Sequence, residues 1–189
     1  MSSPKLVLAS QSPRRREILS AAGYVFEVRV AGLEESRLPG EAPEEYVTRL
    51  ARDKARAIQA GPLEFVLAAD TTVVCESEVM EKPVDAADAR RMLGILSGRV
   101  HQVWTGVCLR VEEQEWACAE VTQVRFLPLS DEQIAEYVAT GEPMDKAGAY
   151  AIQGRACRFI DRVEGCYFNV VGLPISRVAR MLVAAGFRA

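Results

Sequence analysis

Four stretches of this sequence carry side chains that can do chemistry. In Ala68-Ala69-Asp70-Thr71-Thr72 a carboxylate follows the apolar run Phe65-Val66-Leu67-Ala68-Ala69. Read as a strand that stops at Asp70, this run puts the carboxylate at the sheet edge, where open α/β sheets hold their ligands. There an aspartate binds a hard cation, takes a proton from water, or simply caps a turn. In Leu8-Ala9-Ser10-Gln11-Ser12-Pro13-Arg14-Arg15-Arg16 a strand gives way to a turn and then to a helix opened by Pro13. Helix N-termini expose unpaired N–H groups and a partial positive charge. Three arginines there oppose the macrodipole, at about 0.3–1 kcal/mol each when nothing compensates. A bound polyanion reverses that sign, with Ser10 and Ser12 as hydroxyl donors and Arg14 forking onto phosphate oxygens. The same residues also fit a solvated basic turn.

The third group is Glu34, Glu35, Lys54 and Lys82, each of which alone reads as a surface charge. Glu35 can add a second oxygen to a hard metal. Lys54 stands four residues after Leu50 on a helix, so its stem can run along the apolar face toward the sheet. The fourth is the glycine-bracketed stretch Asp145–Gly154, which suits a loop against a flat ligand. In it Tyr150 offers packing and Gln153 hydrogen bonding; the alternative is a tight connection between packed elements.

Composition narrows the choice. A net charge of −3 argues against broad contact with nucleic acid or an anionic membrane, so any anion site is local. The single histidine, His101, excludes His-rich zinc sites and leaves the chemistry to carboxylates, Lys, Arg or a hard metal. Five cysteines form no C-x-x-C pair, which points to reduced thiols used as small core residues in a cytoplasmic protein. No run approaches the roughly 20 apolar residues of a membrane span, and Leu6–Ala9 is too short for an export signal. The P-loop, the dinucleotide fingerprint, G-x-S-x-G and H-E-x-x-H are all absent.

The elements that must position these groups alternate between helical and extended patterns. Strands are predicted over 6–9, 26–30, 65–69, 100–111, 116–126 and 159–163. Helices are predicted over 14–22, 44–59, 86–96, 131–139 and 175–185. Asp85 is the expected N-cap of the third helix, and Ser130 with Gln133 forms a capping box for the fourth. At 189 residues the chain fits one domain, or one domain with a small lobe. The alternation implies an α/β class with a mixed sheet, and the long neighbouring β segments favour some antiparallel pairing.

Taken in order and spacing, several segments resemble the Maf family of nucleotide pyrophosphatases. They are Leu8–Arg15, Gly32-Leu33-Glu34-Glu35, Leu50–Ala55, Ala69-Asp70-Thr71, Glu81-Lys82-Pro83, Leu96-Ser97-Gly98, Asp145–Tyr150 and Val170–Pro174. The resemblance runs through nearly the whole chain as a single domain. It implies a mixed twisted sheet with flanking helices and a smaller lobe forming a cleft, as in inosine-triphosphate pyrophosphatases. It also implies cleavage between the α and β phosphates with a divalent cation (Mg, Mn or Co), in a homodimer whose partner is a free nucleotide.

By the same resemblance Asp70 is the proton acceptor and, with Glu35, a metal ligand. Ser10, Arg14, Arg15, Lys54 and Lys82 line the phosphate region, while Arg14, Thr71 and Gln153 bear on base selection. The loop Gly148–Gly154 is similar to the branch acting on dTTP and UTP rather than 7-methyl-GTP. Ala69, Ala151 and Cys166 depart from the family's usual Gly, Gly and Ser. The rival readings are a pyrophosphatase for a methylated purine triphosphate and a nucleotide-binding division regulator with weak catalysis. An RNA-binding module fits poorly with the net acidity.

Overall fold

Two parallel pairings start the sheet. In a computed structural model that describes residues 4–30, 32–33 and 35–188, β1 (Lys5–Leu8) lies parallel to β2 (Phe26–Val28) and to β3 (Glu64–Cys75). Parallel neighbours need long crossovers. The chain supplies them with α1 (Pro13–Ala21) and α2 (Pro43–Arg56). After β3 come β4 (Glu78–Met80), α3 (Ala86–Leu96), β5 (Val100–Val111), β6 (Gln114–Phe126), α4 (Asp131–Ala139), β7 (Ile160–Glu164), α5 (Tyr167–Val171) and α6 (Ile175–Ala184). The strand order is β2-β1-β3-β5-β6-β7, with β4 paired to β3. β4 on β3 and β7 on β6 are antiparallel. The result is a mixed seven-stranded sheet with flanking helices, the α/β class expected.

The main disagreement with expectation concerns β3, which does not stop at Asp70 but continues to Cys75. The residues beyond are Thr71, Thr72, Val73 and Val74, all β-branched and suited to a strand. Asp70 is therefore an inward-held residue in mid-strand, 7% exposed, and needs a partner. The short helix α5 was not expected, since five residues carry too little periodicity. Local capping matches expectation. Asp85 accepts from the Asp88 N–H, and the Ser130–Gln133 box closes both ways. Among the described residues no helix is long and apolar enough to cross a membrane.

The chain divides into two compact units. The first comprises Met1–Asp70, Thr105–Glu120 and Gly172–Ala189; the second comprises Thr71–Trp104 and Val121–Val171. In the first unit, alternate residues of β1 and β3 (Val7, Ala9, Val66, Ala68) with Cys108 of β5 form one face, closed by Ala51, Ala55 and Ile58. Ala51 and Ala55 are the small residues of the α2 stripe, so the helix backbone comes close to the sheet. Gly106 of β5 marks the closest point, where an added Cβ would lie 2.2 Å from the Val47 carbonyl oxygen. Leu6, Leu8 and Leu67, on the opposite face, are also fully buried, as expected of central parallel strands.

The second unit has its own core. Val73, Met80, Leu93, Leu96, Val103, Phe126, Tyr137, Tyr150 and Phe159 belong to one cluster. Phe126 meets Tyr150 edge-on at 4.9 Å between ring centroids, and Tyr137 meets Phe159 at 5.5 Å. Gly148 has φ +68° and sits so close to Val73 that a Cβ would lie 2.8 Å from it. A left-handed conformation at such a contact is available to glycine at little cost.

Candidate active site

In the first unit two carboxylates converge on one ammonium. Lys54 Nζ donates to Asp70 Oδ1 at 2.7 Å and lies 2.8 Å from Glu35 Oε1. The lysine side chain is 14% exposed and that of Asp70 10%, whereas Glu35 is 46% exposed. The geometry follows from α2. Leu50, Ala51 and Ala55 seat the helix on the sheet, and Lys54 on the flank of that stripe runs its stem inward to β3. That reach was legible from its position four residues after Leu50. The carboxylates differ in kind: Asp70 is fixed in a strand, while Glu35 rides on a segment outside regular structure.

The Glu35 segment is itself fastened to α2. The Tyr46 hydroxyl donates to the Glu35 carbonyl at 3.2 Å. Arg49, one turn on, donates to the Ser36 carbonyl at 3.1 Å and forks onto Glu41 at 2.6 and 2.8 Å. Arg49 in turn holds the Glu41 carboxyl below its usual range, chiefly by that hydrogen bonding. Tyr46 reads from sequence only as a core residue of the stripe, and Arg49 only as a surface charge. The signal that was available is their i, i+3 spacing on the helix that also carries Lys54. Glu34 lies outside the described residues.

The turn after β1 supplies the positive side. Ser12 caps α1, accepting from the Arg15 N–H. Ser10 Oγ accepts from the Ser12 N–H at 3.2 Å and from Arg15 Nη1 at 3.1 Å. A hydroxyl with both lone pairs engaged still has its proton to donate, and among the described residues no acceptor takes it.

Arg15 is 8% exposed, and its Nε donates to the Gly172 carbonyl at 2.8 Å. Burial pushes its guanidinium pKa down. Asp70 opposes that shift, Arg14 adds to it, and Glu35 opposes it more weakly. Arg15, Arg14, Asp70 and Glu35 thus share one electrostatic neighbourhood. Arg15 is built into the wall of the site, and the half-buried Arg14 next to it is the more accessible of the two.

Thr71, Lys82 and Gln153 belong to the second unit. Thr71 is half-buried in β3, and Lys82 is exposed just after β4. The Gly148 N–H donates to the Glu81 carbonyl at 3.1 Å, which joins the stretch carrying Gln153 to the one carrying Lys82. Ala149, Tyr150, Ala151 and Ile152 are buried, whereas Gln153 is exposed.

Tyr150 departs from expectation: it does not present a face to a ligand but packs in the core. Its hydroxyl pairs with His101 Nε2 at 2.8 Å. Burial alone drives the His101 imidazole down to about 3, so the ring is neutral at physiological pH and takes no part as an acid. Of the five cysteines expected in the core, Cys75 and Cys108 are buried, Cys118 and Cys166 are half-buried and Cys157 is exposed; burial pushes Cys108 up to about 12.

A cation can be tested against this geometry. Among the described residues, no group of three or more His, Cys, Asp or Glu side chains is placed to hold a metal. The two that do converge nonetheless suit a hard ion. One oxygen each from Asp70 and Glu35 lies within 2.8 Å of a single positively charged nitrogen. Mg²⁺ is commonly held by one or two carboxylates, with water and substrate phosphates completing the shell.

A family model described as Maf-like protein matches residues 5–185. The dTTP/UTP pyrophosphatase of Koribacter versatilis (strain Ellin345) is 55% identical over 182 residues, covering 96% of this chain and 94% of that one. The dTTP/UTP pyrophosphatase of Anaeromyxobacter dehalogenans (strain 2CP-C) is 54% identical, with 97% and 95% covered. That of Geobacter sulfurreducens is 51% identical, with 98% and 99% covered. Among solved structures, the Staphylococcus aureus Ham1 protein is similar with a TM-score of 0.53 at 13% identity, covering 96% of this chain and 99% of that one. A HAM1 protein from Coxiella burnetii gives 0.50 at 16% identity, again over 96% and 99%. At such identities the likeness is one of fold.

Proposed function

The chain belongs to the Maf family, and from its site we propose that it hydrolyses dTTP and UTP to the nucleoside monophosphate and pyrophosphate. The observation that carries this reading is the buried Asp70, held by Lys54 in the same electrostatic neighbourhood as Arg14, Arg15 and Glu35. The names of the three relatives above support the choice of substrate.

Asp70 accepts the proton of a water that attacks the α-phosphorus. The bond from that phosphorus to the bridging oxygen breaks, and pyrophosphate leaves with the electron pair. Lys54 keeps Asp70 aimed through its hydrogen bond. The proton of Ser10 and the Arg14 fork hold phosphate oxygens, and Arg15 keeps Ser10 in register. Lys82 meets the departing charge. A divalent cation held by Asp70 and Glu35 would supply further positive charge for the phosphates.

Gln153 reads the base. Its amide offers both a donor and an acceptor, which matches O4 and N3–H of uracil and thymine. Thr71 and Arg14 narrow the same choice. A flipped amide also serves cytosine, so CTP is the natural weak competitor.

The test is pyrophosphate release from a nucleotide panel with Mg²⁺ or Mn²⁺. UTP and dTTP should turn over at least about tenfold faster than GTP and 7-methyl-GTP, a difference of about 1.4 kcal/mol in the barrier. A preference for 7-methyl-GTP would contradict the reading. Binding without turnover would replace it with a nucleotide-binding regulator.

A further inference from the structure

A second cationic surface lies in the first unit and shares no residue with the site above. On α6, Arg177, Arg180, Met181 and Ala184 stand at i, i+3, i+4 and i+7, and so on one helix face. On β6, Trp116 and Cys118 share one face of the strand. With Arg52 of α2 these side chains line a groove of about 580 Å³, within the size range of small-ligand sites.

The charges in this groove do not balance. Glu115 is taken by Arg56, which forks onto it at 2.7 Å through both nitrogens. Glu120 is taken by Arg177 at 2.6 Å. Arg52 and Arg180, both exposed, make no hydrogen bond or ion pair among the described residues. Glu115 is held below the usual carboxylate range, mainly by Arg56, with Arg52 and Arg110 adding in the same direction. In a chain of net charge −3, this is a local excess of guanidinium. Cys118 is no nucleophile here, since burial pushes its thiol up and keeps it neutral.

We infer that this groove is a second binding site, for a nucleoside phosphate, with the phosphate on Arg52 and Arg180 and the base against Trp116 and Met181. Guanidinium forks match phosphate oxygens, and an indole with a thioether beside it suits a flat ring. Two such guanidiniums in a chain of net charge −3 suit the few charges of a mononucleotide better than an extended polyanion.

The protein has two tryptophans, Trp104 and Trp116, so Trp104→Phe leaves Trp116 as the only indole reporter. Titration of that protein with UMP should give saturable quenching, and adding Arg180→Ala or Arg52→Ala should weaken it by about tenfold or more. The same arginine substitutions in the otherwise unchanged chain should leave kcat and KM for UTP hydrolysis unaltered. Calorimetry on the unsubstituted chain should count two UMP per chain, falling to one in Arg180→Ala, which keeps the test independent of Trp104.

Quenching indifferent to both arginines, or a UMP count per chain that Arg180→Ala leaves unchanged, would overturn the site. So would a groove filled by a single-stranded oligonucleotide but not by UMP, or one that takes inorganic pyrophosphate as tightly as UMP. Absence of UTP hydrolysis would leave the titration readable, so the two readings fail separately.

Discussion

The first unit buries ionised groups, with Lys54 against Asp70 and Glu35, and Arg15 against Ser10 and the Gly172 carbonyl. The second buries neutral ones, with the His101 imidazole against the Tyr150 hydroxyl amid Phe126 and Phe159. Burying a charge costs several kcal/mol unless it is paired, and a buried ion pair is often no more stabilising than apolar residues of the same volume. A neutral polar pair inside a core costs far less and fixes how aromatic rings pack. The ionised group is thus hard to explain by stability alone, while the neutral one needs no other explanation. The ionised cluster around Lys54 therefore suits chemistry, and the neutral His101–Tyr150 pair suits packing.

Substitutions should separate these two roles, and the largest effect belongs to Asp70. Asp70→Asn keeps the shape and removes the base. Turnover of UTP should fall by about 10³-fold or more, with the melting temperature changed little. Near-normal hydrolysis by the folded variant would erase the distinction between the units.

Next comes Lys54→Met, which leaves two carboxylates facing each other without their cation. It should cost about 3 kcal/mol of stability in urea denaturation as well as most activity. A loss of stability with full activity would make the trio structural.

The neutral pair should respond to acid. His101 has its folded pKa depressed to about 3 from 6.5, so below about pH 6.5 the unfolded chain takes up a proton that the folded chain refuses. Its contribution is intact above that pH and is lost as pH falls toward 3. Between pH 7 and 4.5 the unfolding free energy should drop by roughly 2–3 kcal/mol more in the native chain than in His101→Gln. Glu64, held low at about 2 chiefly by Arg29, acts in the same direction in both proteins and cancels in the difference. Equal acid sensitivity of the two would remove His101 from this role. The smallest effect is Gln153→Glu, where a carboxylate cannot donate to O4. UTP and dTTP should lose about tenfold relative to CTP, and unchanged ratios on the panel would release Gln153 from base reading.

What could be read in advance divides along the same line between local and distant causes. The Asp85 cap and the Ser130–Gln133 box depend on residues three apart, and both were legible. So was the reach of Lys54, set by its place on the α2 stripe. The passage of β3 through Asp70 was not, because aspartate disfavours strands. What offsets that here is an ammonium 16 residues away. Tyr150 misled for the same reason: its glycine-bracketed setting suits a ligand loop, while its partner His101 is 49 residues distant. Tyr46 and Arg49, which fasten the Glu35 segment, show their role only once that segment lies along α2.

The most direct measurement is a crystal structure with a UTP analogue that cannot be cleaved between its α and β phosphates. The account predicts the phosphates on Ser10 and Arg14, with a water bridging Asp70 and the α-phosphorus on the side opposite the leaving oxygen. A triphosphate bound away from Ser10 and Arg14, or an Asp70 carboxylate facing no water near that phosphorus, would contradict it.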